Sequence, residues 1–129
     1  MSQIKIYASA ETIDLHRQSL SDAIHRALVE QLQYPTNKKF QRFIRLNRQD
    51  FIYPPDRSAS YLIIEISMFS GRSKLTKKAL IQSIFNNIKI LCGINPFDVE
   101  ITIFETPQEN WGIRGQNADE LMLDYKVDV

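Results

Sequence analysis

The sequence is poor in most of the features that mark a function directly. Its 129 residues contain a single cysteine, which cannot form an internal disulfide. Its apolar runs fall well short of the ~18 residues that a membrane-spanning helix needs, and the first residues lack the pattern of a signal peptide. Lys and Arg number 16 against 15 Asp and Glu, and a net charge of +1 gives no electrostatic signature of nucleic-acid or membrane binding. These absences favour a cytoplasmic domain.

Motifs that hold metals or cofactors are also missing. The two histidines, His16 and His25, are nine residues apart on one predicted helix, and no Cys, His or Asp cluster has the spacing of a metal site. There is no glycine-rich phosphate loop and no serine-nucleophile elbow. Cys92 continues an apolar stripe, which is typical of a small buried side chain. We therefore expect no metal and no cofactor.

What the sequence does contain is an internal repeat. The first unit predicts a strand at 4–7, an amphipathic helix over 13–32 that begins at an N-cap, Thr12, and stops before Pro35, and a second strand at 40–46. In this helix the apolar residues recur every three or four positions, as on a face that packs against a core.

The second unit repeats this pattern. It predicts a strand at 62–66, a helix with an apolar stripe from Leu80 to Cys92 that ends at Gly93, and a strand at 99–104. Several apolar positions of the two units lie 60 residues apart: Ile4 and Ile64, Ile6 and Ile66, Leu20 and Leu80, Ile24 and Ile84, Leu28 and Ile88. Each unit therefore reads as a βαβ segment, and the fold class is α/β (α+β): two fused βαβ units that form a four-stranded mixed sheet with both helices on one face.

We expect one domain over 1–129, because a 60-residue unit alone would bury too little surface to be stable. Its predicted parts are a first repeat (about 3–46), a linker (47–60), a second repeat (61–106), and a hairpin followed by a C-terminal strand (107–129). The strand is expected because apolar and polar residues alternate from Leu121 to Val129. The face of the sheet without helices needs a cover, which predicts oligomerisation, and the C-terminal strand could add to a partner's sheet.

Motifs of the second unit, taken in order, resemble 4-oxalocrotonate tautomerase of the tautomerase superfamily. They are the run Ile64-Glu65-Ile66-Ser67-Met68-Phe69-Ser70-Gly71-Arg72-Ser73, the segment from Gly93-Ile94-Asn95-Pro96 to Glu105, and Asn110-Trp111-Gly112-Ile113-Arg114-Gly115. The doubled length, with Pro35 and Phe40-Gln41 in the first unit, resembles the malonate semialdehyde decarboxylase branch.

The resemblance implies a homotrimer whose sheets face inward. It also implies an active site near the start of the first strand, where the family uses the amine of an N-terminal proline as its acid or base. Arginines hold the substrate carboxylates there, and an aromatic side chain walls the pocket. The position of the proline is Ser2, the arginine of the Gly-Arg-Ser motif matches Arg72, and the aromatic wall matches Trp111; Ile113 and Arg114 follow in the same hairpin.

Three further family positions do not match. A second arginine falls at Glu100, an acidic residue of the decarboxylase falls near Lys38, and one of its arginines falls at Ser70. We therefore expect a pocket for a small keto- or enol-carboxylate with weak or altered tautomerase or decarboxylase activity. The Ser2 amine would be the acid or base, provided that Met1 is removed.

Non-catalytic interpretations stay open. The chain could be a trimer that only binds a small acid or a protein partner. Ser2 could simply start a strand, Arg72 could form a surface salt bridge or a trimer contact, and Trp111 and Arg114 could serve packing and the hairpin. The segment 38–48, with five cations and no acid, could bind RNA, but we expect a strand edge with salt bridges to other subunits.

Overall fold

The computed structural model describes residues 2–121 and 126–129. Its helices and strands follow the order predicted from the repeat. They are β1 (Ser2–Ser9), α1 (Ala10–Leu32), β2 (Gln41–Leu46), β3 (Leu62–Phe69), α2 (Lys74–Cys92) and β4 (Val99–Thr106), followed by a short hairpin of β5 (Gly112–Ile113) and β6 (Gln116–Asn117).

The four long strands form one mixed sheet in the order β2-β1-β3-β4. Strands β1 and β2 are parallel, as are β3 and β4, whereas the central pair β1 and β3 is antiparallel. This arrangement confirms two fused βαβ units. Because the central pair is antiparallel, the start of β1 lies beside the end of β3, where Ser2 is opposite Met68. The predicted catalytic residue Ser2 therefore lies near the end of β3, which leads into the loop with the predicted carboxylate-binding residue Arg72.

The core lies between the sheet and the two helices. One face of each central strand is buried, with Ile6, Ile64 and Ile66 fully inaccessible. The helices cover this face and contact each other, and the Asn87 side chain on α2 donates to the carbonyl of Ala23 on α1 at 3.1 Å. Each fully buried Ile or Leu stabilises the fold by about 1.5–3 kcal/mol relative to an exposed one, so the shared core stabilises both units together.

The predicted apolar stripes agree well with burial in α1 and less well in α2. Every apolar position predicted for α1 is buried: Leu20, Ala23, Ile24, Ala27, Leu28 and Leu32. In α2 the stripe stops at Ile88, since Leu91 is 37% exposed and Cys92 is half-buried. The last turn of α2 extends beyond the sheet-facing core, which periodicity alone does not reveal.

One helix boundary was predicted wrongly. Helix α1 begins at Ala10, and its N-cap is Ser9 rather than Thr12: the Ser9 hydroxyl accepts from the Thr12 amide at 3.2 Å. The predicted end of α2 is confirmed, because Gly93 adopts a left-handed conformation (φ 68°) and its amide donates to the Lys89 carbonyl.

The linker between the repeats is packed against the second unit. The rings of Phe51, Tyr53 and Tyr61 cluster with centroid distances of 4.8 to 5.6 Å. The amide of Ser58 donates to the buried carboxylate of Asp98 at 2.8 Å. These contacts hold the proline-containing segment in a defined position at the end of the sheet opposite Ser2.

The predicted C-terminal strand falls partly on residues 122–125, which lie outside the described residues. The described residues on either side, Leu121 and 126–129, are not in a strand. The last residues instead return to the loop before α2, where the Ser73 amide donates to the Val129 carbonyl at 2.8 Å. In residues 2–121 and 126–129, no helix has both the length and the apolar character to cross a membrane.

Candidate active site

The candidate site lies at the edge of the sheet where β1 begins and β3 ends. Ser2 is 2% exposed there, and its main-chain nitrogen donates to the hydroxyl of Tyr34 at 2.9 Å. Tyr34 follows the left-handed C-cap residue Gln33 of α1 and is itself 3% exposed. The Ser2 nitrogen, which is a peptide amide in this chain because Met1 precedes it, is thus held in a buried position.

Arg72 lies in the loop between β3 and α2. The loop departs from the strand at Gly71, whose φ of 135° is accessible only to glycine, and the helix starts at its N-cap Ser73. The Arg72 side chain is 5% exposed overall, and its Nη1 donates to the carbonyl of Phe69 at 3.2 Å. Arg72 is therefore a buried side chain of this loop and not a surface one.

Burial lowers the pKa of Arg72 below its ordinary value, and the nearby Tyr34 and Glu105 act in the opposite direction. The guanidinium stays protonated at neutral pH, because arginine loses its proton only under strongly alkaline conditions. A buried, protonated arginine has a strong tendency to pair with an anion, and its planar fork suits a carboxylate in particular. Arg72 is therefore placed and charged as a carboxylate ligand requires.

Trp111 and Ile113 belong to a small apolar cluster beside this loop. The Trp111 ring meets Phe69 edge to face, with a centroid distance of 5.0 Å and an interplanar angle of 69°. Ile113 packs against the same buried pair, Phe69 and Ala118, and so does Val127. Because Phe69 is also the carbonyl partner of Arg72, this cluster forms an apolar wall next to the guanidinium.

Arg114 is exposed at the tip of the hairpin. Arg114 and Gly115 both have positive φ values, 53° and 78°, as the two central residues of a type I′ turn require. The hairpin joins it to the Trp111 and Ile113 wall, but the described contacts do not tie it to Arg72. Its backbone role in the turn is therefore evident from the structure alone.

Two residues at this corner, Tyr34 and Glu105, were not predicted from the sequence. Tyr34 is 32 residues from Ser2, and nothing in the pattern around it marks it apart from its position after the helix. Glu105 is level with Met68 in the strand register and forms an ion pair with Lys77 of α2 at 2.8 Å. The alternation of β4 could have placed Glu105 on the helix-facing side, although not beside Arg72.

Two of the positions that do not match the family, Glu100 and Ser70, lie in different parts of the sheet. Glu100 pairs with Ile63 near the opposite end of the sheet and accepts from the Tyr61 hydroxyl at 3.1 Å, so within the chain it is remote from Arg72. Ser70 continues the sheet, because its amide donates to the Thr106 carbonyl at 2.8 Å. Glu100 therefore does not place a negative charge at the site in its own chain.

The basic segment 38–48 is an edge strand and its flanks. Arg45 forms a two-pronged ion pair with Asp14 of α1, at 2.7 and 2.9 Å, and Arg48 lies 3.9 Å from Glu11. Both partners belong to the same chain. They also reduce the positive charge that the segment can present to an RNA.

A concavity lies at the other end of the sheet, by the start of α1. Its volume is about 340 Å³, and it contains none of the predicted site residues; its lining includes Thr12, His16, Arg48, Phe51 and Tyr53. Within residues 2–121 and 126–129, no group of three or more His, Cys, Asp or Glu side chains is arranged to hold a metal ion. Burial raises the pKa of the Cys92 thiol, which disfavours a thiolate nucleophile.

Comparison with known proteins agrees with the fold and the repeat. The chain is 26% identical over 123 residues to the probable tautomerase YusQ of Bacillus subtilis (strain 168), covering 92% of this chain and 97% of the relative. A malonate semialdehyde decarboxylase has the same fold, with a TM-score of 0.80 at 22% identity over 89% of this chain and 93% of the other. A fused 4-OT solved as a symmetric trimer superposes with a TM-score of 0.79 at 18% identity over 91% and 96%.

The model of a protein family described as "Tautomerase enzyme" matches residues 38–114. This match covers more than half of the chain, from the segment before β2 to the hairpin that carries Trp111 and Ile113. It therefore includes β2, β3, β4 and the loop with Arg72, whereas β1 with Ser2 lies outside the match. The protein belongs to the tautomerase superfamily.

Proposed function

We propose that the protein binds a small keto- or enol-carboxylate at the corner formed by Ser2, Tyr34 and Arg72. We also propose that it transfers a proton within this ligand, either between oxygen and carbon or between two carbon atoms. The observation that carries the proposal is the burial of the Arg72 guanidinium next to Tyr34, whose hydroxyl contacts the Ser2 nitrogen at 2.9 Å. An anion-binding group and a potential amine thus share one apolar corner.

Arg72 would bind the carboxylate through its planar fork. Trp111 and Ile113 would form the apolar wall, which excludes water and strengthens the pairing of Arg72 with the ligand. Arg114, at the exposed rim of the hairpin, would contact the more solvent-accessible end of a longer ligand. In this arrangement Arg72 would orient the ligand, and the hairpin would shape the binding site.

The Ser2 amine would carry the chemistry after removal of Met1. A free α-amino group has a pKa of about 7.7 to 8.0, and an apolar site with a cation nearby lowers it. The neutral amine accepts the enol O–H proton, and the resulting ammonium returns that proton to carbon to give the ketone. The reverse sequence gives the enol. With a β-keto acid, loss of carbon dioxide leaves an enolate, which the ammonium protonates in the same way.

A primary amine on serine is more hydrated and less constrained than the ring amine of proline, so we expect a low rate. The test is an assay of arylenolpyruvate ketonisation with protein whose chain begins at Ser2, released from a cleavable fusion. Turnover that depends on Arg72 and rises in the Ser2→Pro variant would support the proposal. The Arg48→Ala variant is a matched control, since Arg48 is an exposed arginine at the opposite end of the sheet.

Absence of turnover in both the wild type and Ser2→Pro would refute the enzyme proposal. The proposed mechanism requires that Met1 is removed, and intact-mass measurement of protein made without a tag tests this requirement. If Met1 is retained, the Ser2 nitrogen is an amide that has no basicity, and the mechanism through this amine is excluded.

A non-catalytic small-acid-binding protein is the second candidate. The observation that favours it is the hydrogen bond from the Ser2 nitrogen to Tyr34, which an amide makes as well as an amine does. Calorimetric titration with a stable keto-acid analogue separates the two candidates. Binding that disappears in Arg72→Ala, without turnover in any variant, would identify a binding protein.

Assembly into a homotrimer is part of the proposal. The face of the sheet opposite the helices carries Tyr7, Ile44, Ile63 and Phe104, and Phe104 is 50% exposed in the single chain. Lys5 and Glu65, which form an ion pair at 3.8 Å, lie on the same face, so this surface is mixed in character. Large exposed apolar side chains on an uncovered sheet face are typical of a subunit interface, and the fused 4-OT with this fold is a trimer. Sedimentation should give about 45 kDa for three chains of 15.0 kDa, and Phe104→Glu should shift the species to the monomer; a wild-type monomer would refute the assembly.

A further inference from the structure

Tyr34 has a place in the chain that fixes its hydroxyl firmly. It comes directly after Gln33, which ends α1 in a left-handed conformation, and its amide donates to the Val29 carbonyl at 3.3 Å. Pro35 follows and restricts the backbone of Tyr34 further. The side chain is 3% exposed and is part of the main core cluster. A phenol held in this way has little freedom to turn away from its partners.

Two groups that the proposed reaction uses lie near this hydroxyl. The Ser2 nitrogen donates to it at 2.9 Å within the buried interior. Arg72 is close enough for the charge state of Tyr34 to act on the pKa of the guanidinium. Tyr34 thus contacts the Ser2 nitrogen directly, whereas its effect on Arg72 acts through charge.

We propose that Tyr34 is a positioning residue that holds the Ser2 amine at the site and stabilises its protonated form. The inference rests on the proposed function only in requiring a chain that begins at Ser2. In the chain with Met1, the Ser2 nitrogen is a peptide amide that can only donate to this oxygen. Once the chain begins at Ser2, the same oxygen can accept from the ammonium, which has three N–H donors, and this favours the ammonium over the neutral amine. Arg72 acts in the opposite direction, because two cations repel each other.

Other charged groups near this corner come from α2 and β4. Glu105 of β4 lies near Arg72 and is paired with Lys77 of α2 at 2.8 Å. Their charges act on the Ser2 amine equally with and without the Tyr34 hydroxyl. Removal of that hydroxyl therefore isolates its own contribution, and loss of an acceptor should lower the pKa of the amine.

A purely structural role of Tyr34 would give the opposite sign. A loosened corner would expose the amine to water and raise its pKa toward the ordinary value of about 7.7 to 8.0. Loss of the hydrogen bond in an intact corner lowers the pKa instead. The direction of the change thus separates a positioning residue from a residue that only fills the core.

The experiment follows the acylation of the N-terminal amine as a function of pH. Protein that begins at Ser2 is treated briefly with acetic anhydride at each pH, and the labelled N-terminal peptide is quantified by mass spectrometry. We expect the inflection for Tyr34→Phe to lie roughly 0.5 to 1 pH unit below that of the wild type. Tyr61→Phe is the matched control, because it removes another buried hydroxyl, 6% exposed and bonded to Glu100, at the far end of the sheet.

An unchanged or higher inflection in Tyr34→Phe, or an equal fall in Tyr61→Phe, would overturn the inference. If Tyr34→Phe fails to fold by circular dichroism, 4-fluorophenylalanine at position 34 replaces it. This residue keeps the ring and fills part of the space of the hydroxyl, but its fluorine does not ionise and is a very weak acceptor. The inflection should therefore again fall, and an unchanged or raised inflection would again overturn the inference. The labelling needs no turnover, so a shifted titration without activity would refute the proposed function and leave the role of Tyr34 standing.

Discussion

The two strand-to-helix junctions of the repeat differ by one helical turn. In the first unit, β1 ends at Ser9 and α1 starts at the next residue, Ala10. In the second unit, β3 ends at Phe69 and α2 starts only at Lys74, after a loop of four residues, 70–73. Helix α1 accordingly has 23 residues and α2 has 19. The four residues that form the first turn of a helix in one unit form a loop in the other.

The two helices nevertheless start with the same cap. The hydroxyl of Ser9 accepts from the Thr12 amide at 3.2 Å, and that of Ser73 accepts from the Thr76 amide at 3.1 Å. The caps are 64 residues apart, whereas the buried stripes keep the 60-residue offset found in the sequence. The core-facing part of the repeat is thus preserved, and the difference is confined to the junction.

Gly71 is the residue that separates the two junctions. Its φ of 135° is incompatible with a helix and with ordinary side chains, while Glu11, its counterpart 60 residues earlier, lies in the first turn of α1. The loop that results brings Arg72 into the buried corner beside Tyr34. The first junction has an open cavity with the exposed Arg48 instead. A change in backbone at one position therefore decides which end of the sheet can hold a buried cation.

Of the changes that test the difference between the two junctions, we expect replacement of Gly71 to have the largest effect. A Cβ at this position would meet the Val127 side chain at 3.0 Å and its carbonyl oxygen at 3.3 Å, in addition to the positive φ. Gly71→Ala should lower the free energy of unfolding by about 2–4 kcal/mol in urea titrations. Gly93→Ala is the control: its φ is also positive, but no atom lies within 4 Å, and we expect a loss of only about 1 kcal/mol. Equal losses in both variants would show that the contact with Val127 is unimportant.

Removal of the guanidinium tests what the second junction contributes to binding. Arg72→Ala should weaken the binding of a small keto-acid analogue roughly 10- to 100-fold, as expected for loss of a charge-assisted hydrogen-bond pair. Arg48→Ala, at the first junction, should leave the dissociation constant within about twofold. Isothermal titration at constant ionic strength measures both. A similar weakening in the two variants would indicate a general electrostatic effect instead of a site.

The caps should be equivalent despite the different junctions. Ser9→Ala and Ser73→Ala each remove a hydroxyl that accepts from a helix amide, so each should cost about 1 kcal/mol of unfolding free energy. Thermal or urea unfolding of the two variants checks this. A cost for Ser73→Ala that greatly exceeds that of Ser9→Ala would mean that Ser73 stabilises the Arg72 loop as well as the helix.

The smallest effect that we expect concerns the ion pair near the first junction. Hydrogen bonding to Arg45 lowers the pKa of Asp14 below its ordinary value of 3.8. A carboxyl with a lowered pKa in the folded state contributes stability above its unfolded pKa and loses it as the pH falls through the folded value. Asp14→Asn should therefore be slightly less stable than the wild type near neutrality, and the difference should disappear at pH values below 3.8.

Urea titrations at several pH values measure this difference. Asp22→Asn on the same helix is the comparison, since the Asp22 carboxylate accepts from a neutral amide, Gln18. A stability difference for Asp14→Asn that persists unchanged into strong acid would exclude the ion pair as its source.

The order of elements, the fused repeat and the core of α1 could be predicted from the sequence. Apolar periodicity is a local property, and burial against a sheet produces it directly, as at Leu20, Ile24 and Leu28. The start of α1 was predicted wrongly because Ser9 and Thr12 are both good caps, and the choice between them depends on where the strand ends. Arg72 was found through a motif, but its burial follows from packing.

The sequence by itself determined two similar βαβ units with one core, because hydrophobic spacing is encoded residue by residue. Only the tertiary structure decided which groups meet at the candidate site. Tyr34 reaches Ser2 because the end of α1 returns over the start of β1, and the antiparallel pairing of β1 and β3 places the Gly71 loop with Arg72 near the same end of the sheet. Such contacts join residues more than 30 positions apart, and no local pattern along the chain records them.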